Sequence, residues 1–267
     1  MLLLVDLDGV VYRGPVPVPG VAAVLTERQT AGDRVVYVTN NSRWHRTEYH
    51  EKLRSMGAPV GEGAVMSSAR ATALALAGRP ERPRASLVLG GPGLVRELRD
   101  EGLRVVPPTR RGIAARPDAV VVGIDVALTY RRLSIAAEAV RDGALFVATN
   151  RDPVFPTAEG FNAGAGSIVA AVATAGRREP DLVIGKPEPG LFQEAARAAS
   201  VAVEDAIVIG DGLTTDIAAA NRVGARSILM LTGVTTRAQA EAAPAAQRPT
   251  WVVEDAAELR SVLEGLC

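Results

Sequence analysis

Two aspartates separated by one residue, Asp6 and Asp8, follow the apolar run Leu2-Leu3-Leu4-Val5. On an extended backbone, residues two apart project to the same side, so both carboxylates leave the carboxyl end of a strand together. Carboxylates held that close repel, and the pair persists when a cation lies between them or one member keeps a proton. Such a pair suits metal-assisted or general acid–base chemistry. Gly9 follows, which lets the backbone turn sharply beside a ligand. Taken alone, the pattern fits a strand ending in a polar turn equally well.

Other polar groups recur at comparable places. Thr39, Asn40, Asn41 and Ser42 stand after the apolar stretch 34–38 and before a helix expected over 47–56. Hydroxyl, amide and backbone N–H donors at the end of a buried strand can hold an anion. An ordinary helix cap by Asn41 or Ser42 is the competing reading. Lys52 and Lys186 are the only lysines in a chain whose other cations are all Arg. An ammonium is a compact point charge that a planar guanidinium does not reproduce. Lys186, in Gly185-Lys186-Pro187, could neutralise a dianion, although most lysines are simply solvated. Asp211 follows the apolar stretch 206–209 and Gly210, repeating the logic of Asp6. Asp216 opens the next helix, where an acid also serves the helix dipole.

The elements that must position these groups alternate between strand and helix. Strands are expected at 2–5, 34–38 and 64–66, and helices at 20–32, 47–56 and 68–77. Residues 78–84 carry two prolines and three arginines without apolar periodicity and read as a linker. A second alternation follows, with strands at 86–89, 103–106, 119–122 and 145–148 and helices at 92–101 and 130–142. Gly90-Gly91-Pro92-Gly93 lacks the spacing of a dinucleotide loop and reads as a strand-to-helix turn. Residues 149–166 are the longest irregular stretch, of the kind that is often functional. A helix over 167–175 and a linker-like patch over 176–180 precede a return to the first unit. That unit is completed by strands at 182–184, 206–209, 227–231 and 250–253 and helices from about 190, before 223 and over 256–266. The expectation is an α/β protein with a parallel-sheet core, residues 1–82 and 181–267, and a smaller inserted α/β unit, residues 83–180. Open parallel sheets bind ligands at the carboxyl ends of their strands, the edge shared by all five polar sites.

Composition narrows the partners. The 267 residues balance 30 Lys+Arg against 30 Asp+Glu, so no global field favours nucleic acid or an anionic membrane. The single cysteine, Cys267, excludes an internal disulfide and a cysteine metal cluster, which fits a reducing cytoplasm. The N-terminal apolar run is too short for a secretory signal, and no later run reaches membrane-spanning length. Neither nucleic acid nor membrane is expected as a partner.

Together the polar segments resemble the four motifs of the haloacid dehalogenase (HAD) superfamily of phosphohydrolases. Asp-Leu-Asp-Gly-Val-Val-Tyr-Arg-Gly from Asp6 is similar to the first, Thr-Asn-Asn-Ser from Thr39 to the second, Gly-Lys-Pro from Gly185 to the third and Gly-Asp-Gly-Leu-Thr-Thr-Asp-Ile from Gly210 to the fourth. The details, including Thr232-Gly233-Val234-Thr235, resemble subfamily IIA, the NagD-like 4-nitrophenylphosphatases, whose cap is inserted between the second and third motifs. The resemblance implies a Rossmann-like HAD core with a C2-type cap and a Mg²⁺-dependent phosphatase of small phosphorylated metabolites. It implies Asp6 as nucleophile forming an aspartyl-phosphate and Asp8 as general acid and base. Mg²⁺ would be held by Asp6, the Asp8 backbone carbonyl and Asp211, with Asp216 one layer further out. Thr39, Asn40, Asn41 and Lys186 would bind the substrate phosphate. The cap would supply selectivity, which directs attention to Arg151, Asp152 and Phe155. In eukaryotic relatives that hydrolyse pyridoxal phosphate a His commonly stands where this chain has Phe155, which weighs against that substrate. The family's substrates include 4-nitrophenyl phosphate, glycerol phosphates, phosphoglycolate, sugar phosphates and nucleoside monophosphates. A phosphotransferase and a non-catalytic phosphate sensor are the alternative readings on the same fold, and a homodimer paired through the cap stays open.

Overall fold

A computed structural model of the chain describes residues 1–157 and 160–266; Cys267, and the expectation resting on it, lies outside the described residues. The chain forms two compact units, and it changes from one to the other between residues 39 and 40, 46 and 47, 66 and 67, and 185 and 186.

The first unit is built on a six-stranded sheet in the order Trp251–Val253, Arg226–Met230, Ile207–Gly210, Leu2–Asp6, Arg34–Thr39, Val65–Ser67. Leu2, Leu3, Leu4 and Val5 are all buried, so both faces of the first strand are covered, as a continuous apolar run requires in a parallel sheet. Each such side chain contributes roughly 1.5–3 kcal/mol on full burial. The central strand runs parallel to both neighbours, with Val5 opposite Ile209 and Asp6 opposite Val38. That register brings Asp6, Thr39 and the residues after Gly210 to one edge. Helices Val21–Thr30 and Ala256–Glu264 pack together on the sheet through Val24, Leu25, Leu259 and Leu263. The second of these is opened by Asp255, whose carboxylate accepts from the Ala257 and Glu258 N–H groups at 2.8 and 3.0 Å.

The second unit carries a five-stranded sheet in the order Leu182–Val183, Leu145–Ala148, Ala119–Val122, Ser86–Leu89, Val105–Val106, parallel throughout. Helices Tyr130–Arg141 and Ala165–Gly176 pack on each other and supply Ile135, Val140, Ile168 and Val172 to its core.

Three sequence expectations are corrected here. The strand expected at 182–184 joins the second sheet, Leu182 pairing with Val147, and not the first; its short apolar run carries no sign of which sheet it enters. The stretch 149–166 is not irregular throughout. Val154–Thr157 and Gly160–Ala163 form an antiparallel hairpin, in which the alternation is masked by Pro153 and Pro156. The helix after Asp211 begins as a π-helical turn, Leu213–Ile217, before the α-helix Ala218–Arg222, a local widening common beside functional groups. A five-residue helix, Arg110–Ala114, and a two-residue hairpin, Tyr12–Arg13 with Val16–Pro17, were too short to register as periodicity. Among the described residues no helix is long and apolar enough to cross a membrane.

Candidate active site

Within the first unit the sheet edge gathers four charged side chains into one buried cluster. Lys186 Nζ donates to Asp6 Oδ1 at 2.5 Å and to Asp216 Oδ1 at 2.6 Å. Carboxylate oxygens of Asp6, Asp211 and Asp216 all lie within 4.8 Å of one another. Asp6, Lys186, Asp211 and Asp216 are each less than a tenth exposed. Asp6 is the last residue of its strand, and Asp211 is the first beyond Ile207–Gly210. Lys186 is the residue at which the chain re-enters this unit. The Lys186 ammonium is therefore no solvated surface lysine.

Electrostatics follow from burial and crowding. Burial raises the Asp6 carboxyl well above the usual range; Lys186 opposes the rise, and Asp216 and Asp211 reinforce it. Burial and then repulsion from Asp216 push Asp211 up to about 6, against the pull of the Val234 N–H and Lys186. Burial acts to lower the Lys186 ammonium, but Asp216 and Asp6 outweigh it and hold it above its ordinary value. Asp216 is fixed on its other oxygen, Oδ2, which accepts from Thr215 Oγ1 at 3.1 Å and Gly212 N–H at 3.2 Å.

Three carboxylates thus face one ammonium, an excess of negative charge that a divalent cation would neutralise. The donor set is all oxygen, which suits Mg²⁺. A second acid group, His45, Glu97 and Asp100 of the other unit, is also close enough to ligate a metal. There the charge is already met: Glu97 and Asp100 pair with Arg46, and Arg70 lies 3.7 Å from Glu97. The contrast identifies the Asp6 cluster as the one that fits a cation.

Asp8 stands apart from this cluster, exposed at the turn that follows Asp6. The protein packed around it raises its carboxyl, while Lys52 and Lys186 pull the other way. The turn is closed by Gly9 N–H donating to the Tyr12 carbonyl at 2.7 Å. Gly9 takes φ +85°, and a Cβ there would lie 2.2 Å from Asp211 Oδ2.

Two supports were not assigned from sequence. The Lys52 ammonium sits 3.3 Å from the centroid of the buried Tyr12 ring, beside the Asp8 turn. Its signal was present in the scarcity of lysine. The segment 232–235 clasps both acidic turns. Thr232 Oγ1 donates to the Gly9 carbonyl at 2.6 Å, Val234 N–H to Asp211 Oδ2 at 2.8 Å and Thr235 Oγ1 to the Asp211 carbonyl at 2.5 Å.

Thr39 is buried at the end of its strand in the first unit. Asn40 and Asn41 belong to the second unit. There the Asn40 amide donates to both oxygens of Asp152, at 3.1 and 3.0 Å, and Asn41 Oδ1 accepts from the Arg43 N–H at 2.9 Å. Arg151 pairs with Glu179 at 2.9 Å, both exposed. Phe155 lies on the hairpin opposite Asn162 and is partly exposed.

Similarity to known proteins agrees with this geometry. A family model for haloacid dehalogenase-like hydrolases matches residues 3–104, and a second, HAD-hydrolase-like model matches residues 183–259. Human chronophin is 38% identical over 275 residues, covering 98% of this chain and 93% of its own. The p-nitrophenyl phosphatase from Archaeoglobus fulgidus superposes with a TM-score of 0.89 at 30% identity, covering 98% of both chains. A Mycobacterium tuberculosis glycerol phosphate phosphatase solved with magnesium gives 0.87 at 38% identity, over 97% of this chain and 75% of that one. With the buried Asp6–Lys186–Asp211–Asp216 cluster at the end of a parallel sheet, these similarities establish that the chain belongs to the haloacid dehalogenase-like hydrolases, in their NagD-like, 4-nitrophenylphosphatase branch.

Proposed function

We propose that the protein is a Mg²⁺-dependent phosphatase of small phosphomonoesters that works through an aspartyl-phosphate on Asp6. The observation that carries this reading is the 2.5 Å contact of Lys186 with Asp6 inside a cluster of two further carboxylates. Asp6, the Asp8 backbone carbonyl and Asp211 would hold the metal. Bound there, Mg²⁺ supplies positive charge to the phosphate oxygens and lets two anions meet. Lys186 adds its own charge beside Asp6, and Asp216 keeps that ammonium in place. Asp6 attacks phosphorus, its oxygen forming the new P–O bond as the bond to the alcohol breaks. Asp8, exposed at the turn after Asp6, gives a proton to the leaving alkoxide. It then takes a proton from the water whose oxygen attacks the phosphorylated Asp6, and phosphate leaves as Asp6 regains its carboxylate. Thr39, with Asn40 and Asn41 following it in sequence, would hold the remaining phosphate oxygens.

We further read residues 83–180 as the inserted cap that governs substrate choice, with 1–82 and 181–267 as the catalytic core. Balanced charge favours a small metabolite over nucleic acid as partner, and the single cysteine favours the cytoplasm. Relatives named for glycerol phosphate and p-nitrophenyl phosphate make these esters the first to try. The test is phosphate release from a panel of phosphomonoesters, with and without Mg²⁺, for wild type beside Asp6→Asn. Release by wild type alone, dependent on Mg²⁺ and needing no organic acceptor, is expected. More than trace activity in a folded Asp6→Asn protein would refute the nucleophile, and release only with an added alcohol would make the protein a phosphotransferase.

A further inference from the structure

Asn40 follows Thr39 directly in the chain and lies in the second unit, where residues of that unit hold it. Its carbonyl oxygen accepts from Ser68 Oγ at 2.5 Å and from Asn150 Nδ2 at 2.6 Å. Its side-chain amide donates to both carboxylate oxygens of Asp152. Asp152 is itself tied to Asn150, whose Oδ1 accepts the Asp152 N–H at 3.1 Å. Ser68 and Asn150 are almost wholly buried. Paired at its carbonyl and at its amide nitrogen, Asn40 is held at two points, and a rearrangement would strand those groups away from water.

This geometry gives Asp152 a different task from the substrate selectivity that the resemblance implies for it. A carboxylate repels a phosphate dianion, so Asp152 is a poor phosphate ligand. Its charge is directed at an amide instead, and hydrogen bonds to an ionised acceptor are stronger than neutral ones. We propose that Asp152 is a positioning residue: together with Asn150 it clamps Asn40 and so sets the Asn40–Asn41 peptide that continues the phosphate-binding loop. The proposal rests on the phosphatase reading above, in which that loop binds the substrate's phosphate. On this account Asp152 acts on the part common to all substrates and not on the alcohol that distinguishes them.

The test uses the full-length Mg²⁺-loaded protein, two esters with unlike alcohols, glycerol phosphate and 4-nitrophenyl phosphate, and inorganic phosphate as a ligand without an alcohol. For Asp152→Ala we expect KM for both esters and the inhibition constant of phosphate to rise together, roughly ten- to hundred-fold, with a smaller fall in kcat. Asp152→Asn, which keeps an oxygen to accept from Asn40, should recover most of the loss. An unchanged phosphate constant, or a changed ratio of kcat/KM between the two esters, overturns the proposal and makes Asp152 a specificity residue. Should Asp152→Ala not fold, Asp152→Ser, which also removes the carboxylate, takes its place, and combined with Asn40→Ala it must lose no more than Asn40→Ala alone; additive losses overturn the proposal. If wild type releases no phosphate, the phosphatase reading fails separately. Calorimetric binding of inorganic phosphate still decides the role of Asp152, since it needs no turnover.

Discussion

Lys186 shows at the scale of one residue why a buried ion pair is a sign of chemistry and not of stability. Desolvating an ammonium and two carboxylates costs about as much as their attraction returns, and apolar residues would fill the same space at less expense. The pairs Lys186–Asp6 and Lys186–Asp216 therefore point to a need for charge. Asp211 carries a testable consequence. Its folded-state value of about 6 lies above the roughly 3.9 of an unfolded aspartate. The folded protein thus binds that proton more tightly, so its contribution to stability is full below about 3.9 and is lost as pH rises through about 6. In EDTA, the Tm of wild type relative to Asp211→Asn should fall between pH 4 and 7. Mg²⁺, which needs the ionised carboxylate, should reverse that fall by stabilising the protein more at the higher pH. A difference in Tm that stays flat or rises in EDTA would show that Asp211 is not protonated in this way.

At the scale of elements, the acidic turns are held by a segment far away in sequence. Residues 232–235 follow the strand Arg226–Met230, and the parallel register brings them beside both Gly9 and Asp211. Gly233 is packed so tightly that a Cβ would lie 1.8 Å from Asp211 Oδ2. Gly233→Ala should therefore turn the Asp211 carboxylate away while leaving the sheet beneath it in place. Residues that orient a metal ligand typically alter metal affinity by about 10–100-fold. We expect the Mg²⁺ concentration for half-maximal activity to rise by at least about tenfold, with a Tm in EDTA close to wild type. A Mg²⁺ titration identical to wild type would show that the clasp does not govern the metal ligand.

At the scale of the whole molecule, the two units do not divide where the linker-like sequences lie. Residues 40–46 and the helix Ser68–Ala77 belong to the second unit, outside the segment 83–180. That helix packs on Pro92–Asp100, and His45, Arg46 and Arg70 pair with Glu97, Asp100 and Glu101 on and just beyond it. Replacing 83–180 by a short Gly/Ser linker would remove those partners and the strand Leu145–Ala148 that pairs with Leu182–Val183. The excised protein should lose at least about 10 °C in Tm, the scale of several kcal/mol in a domain of this size. An unchanged melting curve would instead show that 83–180 is a self-contained insertion.

The sequence by itself determined which side chains of the first unit share the sheet edge. Asp6, Asp211 and Thr39 sit at or just past the ends of short apolar runs, and in a parallel sheet strand ends share one edge, so local pattern was enough to align them. Scarcity of lysine likewise marked Lys186 and Lys52 before either had a neighbour. Tertiary structure alone decided what each side chain touches. That the Asn40 amide meets Asp152, that Lys52 lies over Tyr12 and that 232–235 clasps Asp211 depend on contacts between residues far apart in the chain. No periodicity encodes such contacts. The same holds for the strand Leu182–Val183, whose two apolar residues could pair in either sheet until the partner strand Leu145–Ala148 supplied the hydrogen bonds.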